Sequence, residues 1–329
     1  MTAALIDGRR YAAEFKSELA EQARSLAAEG ARPGLATVLV GDSYPAMAYE
    51  RRLRRLADEL GCHYVGEAMP GDVAEADVLA TIGKLVADPR VTGILVLRPV
   101  PPHVSEIALY NALDPLKDIE AVHPINAGLL SEGRPHFVPS TPASAFHVLD
   151  RYLSESGRDP AAVYERSNLV VVGRSNNVGK PAVLLGLARN ATVVSCDVHS
   201  YRAGLLAEHV SRADILIVAA GVAGLVTGRD VKEGVIAVDV GINPVEDEVT
   251  GKVRLVGDLD SDSVRQVAAA LTPVPGGVGP VTDLWLLRNT VSAAALPLRI
   301  ANAWGEQHPG SQLLETALRT SRLPSTSPT

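Results

Sequence analysis

Asn168-Leu-Val-Val-Val-Gly-Arg-Ser-Asn-Asn-Val-Gly-Lys-Pro181 decides the fold. An apolar, β-branched run ends on Gly173, a polar turn follows, and Gly179-Lys-Pro181 opens a helix. Glycines there let the backbone approach a ligand closely, while the free N–H groups and positive dipole end of the next helix suit a phosphate. The spacing is not G-x-G-x-x-G, so taken alone it fits either a dinucleotide loop or a plain strand-to-helix turn. Downstream the buried-strand signature returns at 191–196, 214–219 and 235–241, separated by helical stretches, as in a parallel βαβ series. Upstream the same alternation begins at once. Phe15, Leu19, Ala23 and Leu26 repeat at helical spacing, and Gly30 closes that helix before a strand over 35–41. A second helix over about 44–60 carries Tyr49, Leu53, Leu56 and Leu60 on one stripe; strands at 62–65 and 93–97 flank a helix over about 73–87. Pro99-Val-Pro-Pro102 breaks the pattern, 142–157 reads as a connecting helix, and a last helix spans about 283–303. The result is an α/β protein of two lobes, the second of nucleotide-binding type, with a flexible tail over 304–329.

Composition agrees. The chain has 329 residues, enough for about two domains, and 31 Lys and Arg against 38 Asp and Glu give a net charge of −7. That mild acidity gives no reason to expect nucleic acid or an anionic membrane as partner. Hydrophobic residues at 47% with 21% charged exclude disorder over most of the length, and no apolar run reaches the ~18 residues of a membrane span. The N-terminal stretch lacks the basic-then-apolar layout of a secretory leader, so a cytoplasmic protein is expected. Cys62 and Cys196 both lie in apolar strand-like runs, which argues against a disulfide, and His103, His136 and His147 show no metal-ligand spacing. No metal is expected.

A second motif, Leu271-Thr-Pro-Val-Pro-Gly-Gly-Val-Gly-Pro-Val-Thr282, places three glycines among three prolines. Such a backbone is irregular; by itself it reads equally as a site-lining loop or a stiff linker. Together with Ile6-Asp-Gly8, Val40-Gly-Asp42, Gly93-Ile-Leu-Val96, Lys117-Asp118, His123-Pro-Ile-Asn126, Asp239-Val-Gly-Ile-Asn243 and Gly257-Asp258, the two motifs resemble the bifunctional methylenetetrahydrofolate dehydrogenase/methenyltetrahydrofolate cyclohydrolase family, collinearly from Ile6 to about Ala295. The resemblance implies an N-terminal catalytic lobe (1–145), a Rossmann-type NAD(P)-binding lobe (146–282) and a final helix (283–303) returning to the first lobe. It implies a folate in the cleft, contacted by Tyr49, Leu53, Leu97, Glu120 and the loop Pro275, Gly276, Gly277, Val278 and Gly279, and a homodimer formed through the second lobe.

The departures from that pattern fall in the first lobe. The family's Tyr-x-x-x-Lys reads Tyr49-Glu-Arg-Arg-Leu53, and the glutamine that orients the lysine is Leu97. The family's second aspartate in Lys-Asp-Val-Asp is Glu120, which keeps a carboxylate for the pterin's N–H edge but reaches one methylene further. Tyr49 keeps a stacking face, and Arg51, Arg52, Arg54 and Arg55 read as a solvated basic face. Hydrolysing a methenyl bridge requires an activated water and a moved proton, help worth roughly 10²–10⁴-fold that leucine does not supply. Hydride transfer depends instead on positioning, because the adjacent folate nitrogen supplies the electron pair. The implied activity is therefore NADP-dependent oxidation of 5,10-methylenetetrahydrofolate with Tyr49 and Glu120 as site residues and cyclohydrolase weak or lost. The same residues also allow a different substrate on the same fold, or a silent folate- or nucleotide-binding paralogue.

The cofactor set implied is Gly173, Arg174, Ser175, Val178, Gly179, Asp197, Val198, His199 and Ile242. Arg174 and His199 favour the 2′-phosphate of NADP. Asp197, about two dozen residues after the loop, and Val198 favour the ribose diol of NAD. NADP is the first expectation and NAD the alternative. His123 reads as a satisfied loop residue, and Ser140-Thr141-Pro142 starts the linking helix.

Overall fold

Apolar strands buried on both faces need helices on both sides, and the chain supplies them in alternation. The computed structural model describes residues 3–246 and 251–307, with side chains described up to residue 296. In chain order the first half contains β1 (Ala4–Leu5), α1 (Gly8–Ala28), β2 (Gly34–Val40), α2 (Tyr44–Glu59), β3 (His63–Met69), α3 (Glu75–Ala87), β4 (Gly93–Val96), α4 (Glu106–Asn111), α5 (Pro124–Ser131) and the linking α6 (Ser140–Glu155). The second half contains α7 (Pro160–Tyr164), β5 (Asn168–Val172), α8 (Gly179–Leu187), β6 (Thr192–Cys196), α9 (Val198–Arg202), α10 (Leu206–Val210), β7 (Ile215–Val218), β8 (Ile236–Asp239), β9 (Asn243–Glu246), β10 (Val253–Val256), α11 (Ser261–Val267), β11 (Ala270–Leu271) and α12 (Gly279–Gln307).

The first lobe's sheet is three parallel strands in the order β3-β2-β4, and every residue of β2 is buried. The second lobe's sheet is six parallel strands in the order β1-β11-β8-β7-β5-β6. Its connections leave β5 to opposite sides, toward β6 and toward β7, so the crevice beyond the ends of β5 and β7 is a topological switch point. Helix α1 starts where the Asp7 carboxylate accepts the Arg9 N–H at 3.0 Å, and it buries Tyr11, Phe15, Leu19 and Ala23, one per turn. Phe15 stacks on His147 of α6 with ring centroids 4.7 Å apart, and Trp285 of α12 closes the cluster.

Three details depart from the sequence expectation. Residues 4–5 pair with β11 in the second sheet (Ala4↔Ala270, Leu5↔Leu271), so the first lobe's terminus is built into the other lobe. Two-residue strands are too short to leave a periodic signal. Helix α12 begins at Gly279, inside the Gly/Pro loop, and continues to Gln307. Of the tail expected over 304–329, residues 304–307 are helical, and the remainder lies outside the described residues. Cys62 falls just before β3, and both cysteines are buried and unpaired.

Candidate active site

Between the lobes lies a cavity of about 600 Å³. Tyr49, Leu97 and Glu120 line it from the first lobe; Val178, Ile242 and the loop 273–280 line it from the second. Tyr49 comes from α2, Leu97 from the residue after β4, and Glu120 from the segment beyond it, at the strand ends where α/β sheets open.

Glu120 is held by a cage built on Asp118. That buried carboxylate accepts the N–H groups of Val122 (3.2 Å) and His123 (2.8 Å) and the Asn126 amide (2.8 Å). Lys117 donates to the carbonyls of Val86 (2.7 Å) and Asp88 (2.9 Å). The Lys117-Asp118 and His123-Pro-Ile-Asn126 motifs thus fix the loop that presents the acid, and His123, which caps α5, is the satisfied loop residue expected. Ser140 at the start of α6 draws the Glu120 carboxyl toward its ionised form, yet Glu120 Oε1 is buried with no hydrogen-bond partner among the described residues, and Glu120 lines the cavity. Burial pushes this carboxyl up to about 7, against the pull of Ser140 and Arg98. An acceptor oxygen buried without a donor costs about 1–3 kcal/mol, which a ligand's N–H groups relieve.

The facing loop is set by glycine and by two buried aspartates. Gly8 at the start of α1 presses on it: a Cβ there would lie 1.6 Å from the Gly277 carbonyl oxygen. Asp239 accepts the N–H groups of Gly241 (2.9 Å), Asp258 (3.0 Å) and Leu259 (2.9 Å). Burial still lifts its carboxyl to about 6. Asp258 accepts from Ala220 (2.6 Å), Gly221 (2.9 Å), Val222 (3.0 Å) and the Asn243 side chain (2.8 Å). These two acids tie three loops of the second lobe into one wall. Their motifs are visible in the sequence; their structural role is not, because their partners are backbone groups far along the chain.

The loop after β5 suits a dinucleotide. Gly173 has φ +116°, and a Cβ on it would lie 2.1 Å from the Ala219 oxygen at the end of β7. A Cβ on Gly179 would lie 2.1 Å from the Gly173 oxygen. Ser175 Oγ accepts from Val178 N (3.2 Å) and Gly179 N (3.4 Å), shaping the turn. The turn sits at the switch point and feeds α8, nine residues long, as a diphosphate cradle requires. Arg174 and Asp197 are paired at 2.8 Å, with Val198 and His199 exposed just beyond. None of these four lines the inter-lobe cavity.

Two expectations are corrected. Leu53 does not contact the cavity: it is 0% exposed, packed in the main core, because an apolar side chain on the inner stripe of α2 has no reason to leave it. Arg52 is not merely solvated: it lines the cavity, lies 5.0 Å from the Tyr49 ring and pairs with Asp283 of α12 at 2.5 Å. Arg9 and Arg98 also line the cavity and were not anticipated, although Arg98 follows a parallel strand directly and Arg9 opens a helix. The Arg98 guanidinium lies against the Asn177 side-chain amide, bringing the first lobe up to the loop after β5. Among the described residues the cations lining the cavity are the guanidiniums of Arg9, Arg52 and Arg98, which carry no acceptor lone pair and do not act as bases.

Comparison with known proteins agrees with this arrangement. Residues 6–120 match the catalytic domain of tetrahydrofolate dehydrogenase/cyclohydrolase, and residues 139–297 match its NAD(P)-binding domain. The chain belongs to the tetrahydrofolate dehydrogenase/cyclohydrolase family. It is 66% identical over 294 residues to "Bifunctional protein FolD 3" of Rubrobacter xylanophilus, covering 89% of this chain and 92% of that one. The fold is similar to the crystal structure of the bifunctional FolD enzyme of Campylobacter jejuni (TM-score 0.82, 35% identity, 90% of this chain and 99% of that one). It is similar also to that of Trypanosoma brucei FolD complexed with NADP cofactor and inhibitor (TM-score 0.81, 34% identity, 91% and 99%). In family terms, the six-stranded lobe is the NAD(P)-binding domain and the cavity lies between it and the catalytic domain.

Proposed function

We propose that the chain oxidises 5,10-methylenetetrahydrofolate to the 5,10-methenyl form in one-carbon metabolism, with NADP as the cofactor and with cyclohydrolase activity weak or lost. The observation that carries the reading is Glu120, whose buried Oε1 has no partner among the described residues, in the lining of a cavity whose other wall is the NAD(P)-binding lobe. When bound, the nicotinamide supplies the hydride acceptor. Glu120 accepts the amino-pyrimidine N–H groups, Tyr49 gives the pterin a face, and the loop 275–279 holds the bridge carbon toward Val178 and Ile242. Gly173, Ser175 and Gly179 carry the diphosphate.

Loss of hydrolysis follows from what surrounds the bridge. Leu97 offers no proton acceptor, Leu53 stands outside the cavity in the core, and burial pushes the Tyr49 phenol far above its ordinary value, so it stays protonated. Two domains, 1–145 with α12 and 146–282, form the working unit in this reading, with residues 4–5 lent to the second. A cytoplasmic homodimer belongs to the same reading, supported by the exposed apolar Val253 on the β9–β10 hairpin of the second lobe.

The test is a pair of assays on the purified chain: nicotinamide absorbance with the methylene substrate, and decay of the methenyl form without cofactor. Cofactor reduction together with methenyl decay at the solvent rate is expected. No reduction with either NADP or NAD at saturating folate rejects the proposal.

A further inference from the structure

Arg174 and Asp197 belong to one bonded unit. Arg174 follows the Gly173 turn, and Asp197 follows the last residue of β6, the next strand of the same βαβ unit. Each nitrogen of the guanidinium makes one bond to that strand's end: Nη1 donates to Asp197 Oδ2 (2.8 Å), Nε to Ser195 Oγ (3.1 Å) and Nη2 to the Ser195 carbonyl (2.8 Å). The carboxylate is fixed as well, since Oδ1 accepts the N–H groups of His199 (3.0 Å) and Ser200 (3.1 Å). The Asp197 side chain is 15% exposed and that of Arg174 is 42% exposed. A carboxylate at this place in a βαβ unit accepts the ribose hydroxyls of NAD, whereas an arginine nearby accommodates the 2′-phosphate of NADP. Here both are present and each holds the other.

We propose that Asp197 is the cofactor-discriminating residue: by holding Arg174 and presenting a fixed negative charge at the ribose, it lowers the affinity for NADP and lets the lobe take NAD as well. This rests on the dinucleotide half of the reading above. A 2′-phosphate arriving there meets a like charge that two backbone amides prevent from moving away. It also finds three of the guanidinium's five N–H donors already committed, so only the remaining two can receive it while the pair with Asp197 stands. A 2′-hydroxyl brings a donor instead, and Asp197 Oδ2 can accept it without releasing Arg174, because a carboxylate oxygen has a second lone pair.

The experiment is calorimetric titration of the full chain with NADP⁺ and, separately, NAD⁺, for the unchanged protein, Asp197→Asn, Asp197→Ser and the double variant Arg174→Gln with Asp197→Asn. Asparagine and serine both cap helices, so α9 keeps its start and the fold is preserved. The ratio Kd(NAD)/Kd(NADP) is expected to rise by about tenfold in both single variants, the effect of removing one like charge beside a phosphate at an exposed site. In the double variant that gain disappears, since no guanidinium is left to receive the phosphate. A ratio that changes by less than about threefold in both single variants overturns the proposal while leaving the enzyme reading intact. Binding of neither nucleotide to the unchanged protein overturns both together.

Discussion

At the scale of single residues, Glu120 is the group whose chemistry is most exposed to test. Its carboxyl, ordinarily near 4.5, is lifted to about 7 by burial. Only the ionised form offers two acceptors to a pterin edge, so tetrahydrofolate affinity is expected to rise with pH and level off above about 7. A series of dissociation constants from pH 5 to 9 checks this, and Glu120→Gln should flatten it; a flat profile in the unchanged protein removes Glu120 from pterin binding. Stability carries the opposite sign. Between about 4.5 and about 7 the unfolded chain loses this proton while the folded chain keeps it, so rising pH favours unfolding over that window. Glu120→Gln removes that penalty and should stabilise the protein at pH 8 by on the order of 3 kcal/mol, with no difference at pH 4, as read from denaturant midpoints. The sequence showed that a carboxylate had been kept and lengthened. It could not show the lifted pKa, because that depends on burial by elements far along the chain.

At the scale of elements, α2 and the β5–α8 turn show what periodicity reveals and what it hides. The stripe Tyr49, Leu53, Leu56 and Leu60 is legible as a helix face, and the structure buries Leu53 and Leu60 on it. One turn separates a cavity residue from a core residue on that face, and spacing alone does not say where the core ends. Arg52 makes the same point from the other side: its role comes from Asp283, 231 residues away. Leu53→Lys alone should therefore be destabilising by roughly 3 kcal/mol, since it drives an ammonium into apolar packing. With Leu97→Gln added to meet it, part of that loss should return and methenyl hydrolysis should rise roughly 10²-fold or more over the parent. Recovered stability without recovered hydrolysis would show that the lysine position is no longer aligned with the bridge. In the turn, Gly179→Ala sets a Cβ 2.1 Å from the Gly173 oxygen. Nucleotide affinity should fall at least tenfold while folate affinity stays, as titration of each ligand would report. Glycine-rich motifs were readable because such close approaches leave few substitutes. The two-residue strands and the aspartate-bound loops were not, since neither has a period.

At the scale of the whole molecule, the two lobes are stitched together by segments that belong to both. β1 pairs with β11, and the Ile6 N–H donates to the Leu271 carbonyl at 2.9 Å, so the first residues described in the chain finish the second lobe's sheet. Immediately afterwards α1 enters the first lobe, Gly8 touching the Gly277 loop on the way, and α12 packs along α1 and α6 after leaving that same loop. A core divided this way has no boundary along which one lobe can melt alone. The full chain is therefore expected to unfold in one calorimetric transition, with NADP moving the whole peak upward. Gly8→Ala overpacks the stitch and should cost about 1–3 kcal/mol, lowering that single midpoint by several degrees without splitting it. A fragment of residues 139–297 retains the matched NAD(P)-binding domain but lacks β1 and α1, leaving the β11 edge unpaired and the face of α12 that meets Phe15 uncovered. Such a fragment should bind a hydrophobic dye and lack a sharp thermal transition. Two resolved transitions in the intact chain, or a fragment that melts cooperatively and holds NADP as tightly as the whole, would show that the lobes are independent after all and that the shared segments only tether them.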